Sequence, residues 1–301
     1  MDRLENRLKK AIVPLLGKSR AKQWTKACYI SAKGLLDPVF RPRRFRCYGL
    51  GMGKSGTHSL SAICEGSYYS AHEPLLEELT SVLLDYAGGK LGKKELKNYI
   101  RKRDQHLWLE MEVCTLIVHY FEILLELYPE SKFILLARDP FSWINSSWNH
   151  LATRPIPDWW RTFDNWRYGD DRFDYHPTEK AVLEPLNLPS TKSHFRLWGK
   201  FNDRILNEVP AKQLMVIRLH ELKNSTPEVA RFLNLKEENL QPGESHQYQA
   251  SALSPNLIYK IDPDFIESQA TQYCGNAFGK IYPEITTIED SVNAGFLKSV
   301  T

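Results

Sequence analysis

Apolar positions along this chain alternate between two rhythms. Continuous apolar runs of strand length occur at Lys132-Phe-Ile-Leu-Leu-Ala137 and Leu214-Met-Val-Ile217, the pattern of parallel strands covered on both faces. Shorter extended stretches are predicted at Cys47 to Leu50, at Gly66 to Ala71 ending in His72-Glu73-Pro74, and at Leu107 to Glu112. Between them, apolar stripes at i, i+3, i+4 spacing predict helices. One starts after Gly56 with Leu60, Ile63 and Cys64; others run from Leu75 to Tyr86, from Leu116 to Tyr128 and from His194 to Val209. Lys93 to Arg103 reads as a charged surface helix. Strands alternating with helices predict an α/β fold with a central parallel sheet flanked by helices, and ligands at the carboxyl ends of the strands.

Two regions break this rhythm. Residues 1–44 read as a basic helical extension, with Leu4, Leu8, Ala11, Ile12, Leu15 and Leu16 at helical spacing among lysines and arginines. Packing on the core or at a homodimer contact is the expectation, with a weak peripheral membrane contact as the alternative. Its final run, Phe40-Arg-Pro-Arg-Arg-Phe-Arg46, is expected to hold its arginines in solvent. From Pro155 to Ser190, Trp159, Trp160, Trp166, Tyr168, Phe173 and Tyr175 are mixed with Asp and Pro without a sustained period. That segment is either an irregular insertion, a lid over the acceptor, or a few short helices whose aromatics are core. The remainder, 45–301, reads as a single α/β domain.

Candidate chemistry concentrates in Arg46-Cys-Tyr-Gly-Leu-Gly-Met-Gly-Lys-Ser-Gly-Thr-His-Ser-Leu60. A strand running into a glycine-rich loop and a helix aims free N–H groups and a partial positive charge at whatever sits over the loop. Glycines 49, 51, 53 and 56 permit tight turning with positive φ where needed, while Lys54, Thr57 and Ser59 add an ammonium and two hydroxyls. This is an anion site, with phosphate as the expected anion. A nucleoside-triphosphatase loop needs Gly, four residues, then Gly-Lys-Ser/Thr. Here that first position is Tyr48, and Gly49 comes one residue late.

A second site is predicted at Arg138-Asp-Pro-Phe-Ser-Trp-Ile-Asn-Ser146-Ser-Trp-Asn-His150. Asp139 suits an N-cap and Pro140 the first helical position. Phe141, Ile144, Trp148 and Leu151 share one face, which at about 100° per residue turns Ser146 toward solvent or a ligand.

Lys54-Ser-Gly-Thr-x-x-Leu60 resembles the 5′-phosphosulfate loop of sulfotransferases that use 3′-phosphoadenosine 5′-phosphosulfate (PAPS). Arg138-Asp-Pro followed by Ser146 resembles the same family's 3′-phosphate motif, and Leu219-His-Glu-Leu222 stands where the family has Tyr-Glu-Asp-Leu. The resemblance runs in pieces from about Phe45 to Phe278. It implies a P-loop-like fold, PAPS as donor with the nucleotide product PAP, and no metal. It also implies cofactor contacts from Gly53, Lys54, Ser55, Gly56, Thr57, His58, Ser59, Arg138 and Ser146. Two features depart from the family. His58 replaces the second threonine of the loop, so only its backbone N–H carries over. The late Arg-Lys-Gly segment of cytosolic eukaryotic members is not evident, and Gly279-Lys280 is a poor substitute. These departures suggest a bacterial or carbohydrate-type branch.

Sulfuryl transfer to a hydroxyl needs a group to take the proton. His72 and Glu73 are the preferred pair, Glu112 comes second and Glu110 is a further candidate; His150 is expected at the surface, with a place on the groove wall as the alternative, and Lys54 is expected to stabilise charge on the leaving oxygen. The acceptor is expected to be a carbohydrate or glycolipid hydroxyl, or a small natural product. A kinase or nucleotidase using ATP, and a non-catalytic nucleotide binder, are the alternatives.

Composition narrows little beyond this. A net charge of +4 suits an anionic cofactor, and no basic run of the kind that binds nucleic acid is present. Cys28, Cys47, Cys64, Cys114 and Cys274 form no C-x-x-C pair or zinc-spaced cluster and are expected as buried thiols in a reducing compartment. A charged N-terminus and the absence of an uninterrupted apolar span predict a cytoplasmic protein.

Overall fold

The computed structural model describes residues 42–241 and 256–298. The helical extension predicted for residues 1–44 lies outside them apart from Pro42, Arg43 and Arg44, and Cys28 lies outside as well. Five strands, β1 (Cys47–Gly51), β2 (Ser70–His72), β3 (Met111–Val113), β4 (Lys132–Ala137) and β5 (Leu214–Arg218), form one sheet in the order β2-β3-β1-β4-β5. Every pairing is parallel, with Cys47 opposite Met111 on one side and Lys132 on the other. The α/β architecture is therefore as expected.

The chain leaves β1 toward one edge and returns beyond β1 toward the other. The strand order thus reverses between β1 and β4, where open α/β sheets form a crevice at the strands' carboxyl ends. Lys54 follows β1 and Arg138 follows β4, so the topology brings the two predicted anion-binding segments together.

Alternation along β4 divides the core. Phe133, Leu135 and Ala137 enter the larger apolar cluster with Phe141, Trp148 and Trp198, while Ile134 and Leu136 join Cys47, Leu60, Ile63 and Met111 on the other face. Two-sided burial explains why β4 is apolar throughout. Both glycines of β1 serve packing. A Cβ on Gly49 would lie 2.7 Å from Val113, and one on Gly51 would lie 3.2 Å from the Leu136 carbonyl.

Helices on both faces are α1 (Thr57–Cys64), α2 (Leu76–Ala87), α3 (Lys93–Leu107), α4 (Phe121–Leu127), α5 (Pro140–Thr153) and α6 (Asp158–Tyr168). They are followed by α7 (Pro177–Leu183), α8 (Thr191–Glu208), α9 (Thr226–Leu233), α10 (Pro263–Tyr273), α11 (Gly275–Ile281) and α12 (Ile288–Asn293). Among the described residues, no helix is long and apolar enough to cross a membrane. Cys47, Cys64, Cys114 and Cys274 are buried free thiols.

Two expectations change. The strand expected from Leu107 to Glu112 shrinks to β3, because α3 continues through Leu107 and ends where Trp108 turns left-handed, φ 46°. The helix expected from Leu116 to Tyr128 is a 3₁₀ turn, Thr115–His119, and then α4, broken at Tyr120. Of the readings open for residues 155–190, the structure takes the short helices, and the segment is largely helical. A capping box between His176 and Glu179 starts α7, and Phe163 and Tyr168 of α6 are buried while Trp166 remains exposed.

Contrary to the expectation of free solvated arginines, Arg43 and Arg46 are partly buried, and Arg44, though exposed, is held in an ion pair. Arg43 pairs with Asp104 at 2.9 Å and lies over Trp108; Arg44 pairs with Glu110 at 2.7 Å and lies over Tyr68; Arg46 pairs with Asp104 at 3.3 Å and lies over Tyr128. Carboxylates and rings at the amino end of the sheet staple this entry segment. Burial pushes Glu110's carboxyl up, but hydrogen bonds from Arg44 and from the backbone of Tyr69 outweigh it and hold it below the usual range.

Glu112 is likewise committed, in a buried pair with Arg103 at 2.7 Å. Its partner also donates to the Pro74 carbonyl at 2.7 Å, tying α3 to the segment that follows β2. Glu112→Ala leaves a buried guanidinium without its counter-charge and is expected to destabilise the fold by ~3–5 kcal/mol in urea unfolding. Wild-type stability in this variant would contradict the structural role.

Candidate active site

A cavity of about 1080 Å³ opens over the carboxyl ends of β1 and β4. Its floor is the loop from Met52 to Gly56. Both the backbone N–H and the hydroxyl of Ser55 donate to the Met52 carbonyl, at 3.0 and 2.7 Å. This tight turn places Lys54 at φ 73° and Gly56 at φ 94°. Positive φ in a lysine is strained, and such strain collects at ligand clamps. The glycine that needs its left-handed backbone is Gly56, where an added Cβ would strike Leu219; Gly53 has no heavy atom within 4 Å of such a Cβ. Gly56 caps α1 without a side-chain hydrogen bond, so the first N–H groups of the helix stay available to an anion.

The second element locks onto this loop. Asp139 accepts the Ser142 backbone N–H at 3.1 Å and Pro140 opens α5. Arg138 is held by Ser142 Oγ at 2.9 Å and donates to the Lys54 carbonyl at 3.1 Å, and Trp143 donates to the Gly53 carbonyl at 2.9 Å. Trp198 and Tyr282 each donate at 2.9 Å to the carbonyls of Arg138 and Ala137, fixing the end of the strand. Ser146 lines the cavity and is half-buried between buried Asn145 and Ser147.

Positive charge dominates here. Burial, then repulsion from Arg138 and Arg154, holds the Lys54 ammonium's pKa below its ordinary value. His150 is pushed down to about 4 by burial, Lys54 and Arg154, so it is neutral at physiological pH. Among the described residues, none of Lys54, Arg138 and Arg154 makes an ion pair. Half-buried Lys54 and Arg138, with exposed Arg154 beside them and no carboxylate among the described residues paired to any of the three, fit a ligand that brings several negative charges of its own.

Opposite the loop stand His72 and Glu73. His72 Nε2 shares a hydrogen bond with Thr57 Oγ1 at 3.0 Å, and its Nδ1 lies 4.0 Å from Glu73 Oε2. The His58 and His72 rings are 5.0 Å apart. Thr115 donates to Glu73 Oε1 at 3.0 Å, and Glu73 itself sits at φ 50°. Burial raises the carboxyl's pKa against these Thr115 hydrogen bonds and Arg167, making it a stronger base than an exposed glutamate.

Gly53, Lys54, Gly56, Thr57, His58, Ser59, His72, Glu73, Arg138, Ser146 and His150 all line the one cavity. Ser55 does not: it is 2% exposed and its hydroxyl is spent within the turn. Glu112 and Glu110 do not line it either, because Arg103 and Arg44 hold them elsewhere.

Trp159 and Trp160, from the aromatic segment weighed as an acceptor lid, do line the cavity, whereas Arg154, Arg167, Phe296 and Lys298 escape sequence reasoning. Arg154, Trp159, Trp160 and Arg167 come from the end of α5 and from α6, whose register the sequence pattern left open. From the carboxyl-terminal segment come Phe296, stacked on His220 at 4.1 Å, and Lys298. That segment, and not Gly279-Lys280, supplies the late wall; its Ala-Gly-Phe-Leu-Lys sequence carried no signal of its own.

The sulfotransferase domain family matches residues 46–236, more than half of the chain. No curated protein sequence matches the chain. Among solved structures, sulfotransferase STF9 from Mycobacterium avium is similar over 86% of this chain and 85% of its own, at 14% identity and a TM-score of 0.40. The sulfotransferase domain of the Synechococcus PCC 7002 olefin synthase aligns with 85% of this chain and 95% of its own, at 16% identity and a TM-score of 0.36. The sulfotransferase domain from the curacin biosynthetic pathway aligns with 82% and 88%, at 15% identity and a TM-score of 0.35. Likeness at these scores is too distant to add to the family match. With its loop after β1 and its arginine after β4 facing one crevice, the chain belongs to the sulfotransferase domain family.

Proposed function

We propose that this sulfotransferase uses PAPS as donor and passes the sulfuryl group to a hydroxyl of a carbohydrate, a glycolipid or a small natural product. The observation that carries this reading is the shared cavity of Lys54 and Arg138, joined by a 3.1 Å hydrogen bond and without carboxylate partners among the described residues. Two cationic side chains at neighbouring strand tips, facing one cavity, suit a nucleotide with phosphate groups at both ends of its ribose.

Bound PAPS supplies a sulfuryl group already activated by its link to the 5′-phosphate. Lys54 and the N–H groups opening α1 stabilise negative charge on the departing phosphate side. Arg138 and Ser146 hold the 3′-phosphate. Glu73, with His72 beside it, takes the proton of the acceptor hydroxyl, and Thr115 keeps the carboxylate oriented. Leu76, Leu151, Ile156, Trp159 and Trp160 give the acceptor side an apolar, aromatic wall, which suits the C–H face of a sugar ring or the body of a natural product. At about 1080 Å³ the cavity exceeds the ~300–1,000 Å³ of single-ligand sites, leaving room for donor and acceptor together.

Thermal shift with PAP, AMP, ADP and ATP tests the donor. PAP at 100 times its dissociation constant is expected to stabilise by ~2.7 kcal/mol, with AMP well below it, and Arg138→Ala is expected to abolish the difference. An equal response to AMP and PAP would remove the basis for the assignment.

A further inference from the structure

A second cavity, of about 580 Å³, lies between α2, α4, α6 and α8, away from the nucleotide loop. Its volume falls within the ~300–1,000 Å³ that small organic ligands fill. Two of the five large apolar side chains exposed on the described surface, Tyr86 and Trp166, are on its rim. Clustered exposed aromatics beside a cavity mark a binding surface more often than scattered ones do. Leu83 and Leu197 extend the apolar wall, and the His119 ring packs at a tilt of 57° against Trp166 with ring centroids 4.8 Å apart.

The polar lining is mainly cationic. Arg167, Lys200 and Arg204 all line the cavity. Arg167 is paired with Asp164, and Arg204 with Glu122 and Glu208, whereas Lys200 has no ion pair among the described residues. His119 registers their combined field: burial and then Arg167, Arg204 and Lys200 push its pKa down to about 3. Its imidazole is therefore neutral and adds an apolar face with a hydrogen-bonding edge.

We infer that this cavity binds a small amphipathic anion, an aromatic or alkyl body against Trp166 and Tyr86 with a carboxylate or sulfate head beside Lys200. The site is separate from the nucleotide crevice, and among the described residues only Arg167 borders both. Nothing in this inference depends on PAPS being the donor.

Naphthalene-2-sulfonate, titrated by calorimetry into the protein saturated with PAP, is the test. Binding is expected to survive PAP and to exceed that of uncharged naphthalene-2-methanol at least tenfold. Lys200→Glu and Trp166→Ser, both at exposed positions, are each expected to weaken it at least tenfold. Trp159→Ala, on the wall of the larger cavity, should leave it unchanged. Wild-type affinity in both Lys200→Glu and Trp166→Ser, loss of binding with PAP, or no binding at millimolar probe would each overturn the assignment.

Discussion

Lys54→Met is expected to slow sulfuryl transfer by about 10²–10³-fold, the usual loss when one preorganised charge is removed from a site where anionic charge develops. The same substitution is expected to raise the melting temperature of the ligand-free protein. Burial and the neighbouring Arg138 and Arg154 hold the Lys54 pKa below its ordinary 10.5, so in the folded state the charged form is the disfavoured one. A depressed pKa means that stability is lost as pH falls and the group takes up its proton. At pH 7 wild type therefore carries this penalty and Lys54→Met does not. The difference in melting temperature should shrink as pH rises toward 10.5, where wild type loses the charge itself. Activity and melting curves from pH 7 to 10 check both halves. Unchanged turnover together with a lower melting temperature would assign Lys54 to the scaffold.

The second large effect is at Glu73. Glu73→Gln is expected to lower kcat by ~10²–10⁴-fold, the range for loss of a positioned general base, while PAP affinity stays within about twofold. Burial raises this carboxyl above its ordinary 4.5. A raised pKa gives stability that is fully present below the unfolded value and lost as pH rises through the folded one. The glutamine variant should therefore melt above wild type at pH 7 and converge with it as pH falls toward 4.5. Such a gain at the expense of activity is usual where a site holds an unfavourable charge for chemistry. Glu73→Gln with wild-type kcat, measured on an enzyme whose His72→Asn form is inactive, would move the base to His72.

Glu73 and Glu112 illustrate how much of the site was readable. In the sequence pattern both stand where a short strand gives way to a helix, and both are acidic groups expected near the reacting atoms. Glu73 reaches the cavity because β2 ends there and the chain turns left-handed at its own position, φ 50°. Glu112 does not, because Arg103, nine residues earlier on α3, meets it inside the fold. Two carboxylates with the same local pattern were separated by a guanidinium that no local pattern connects to either. Ser55 makes the same point at smaller scale, since its hydroxyl is consumed by a carbonyl three residues back.

Local chemistry alone determined the parallel sheet, the loop after β1, the capped helix after Arg138 and the outward turn of Ser146. Each follows from short-range physics: apolar runs seek two-sided burial, Asp-Pro starts helices, and a helix has one face per hundred degrees. Tertiary structure decided which charges were left for a ligand. Arg43, Arg44, Arg46 and Arg103 found carboxylates, whereas Lys54, Arg138 and Arg154 found none among the described residues. It also decided that α6 and the segment around Phe296 would close the cavity. Ion pairing and closure join residues tens to hundreds of positions apart, and their outcome depends on which partners the completed sheet brings within reach.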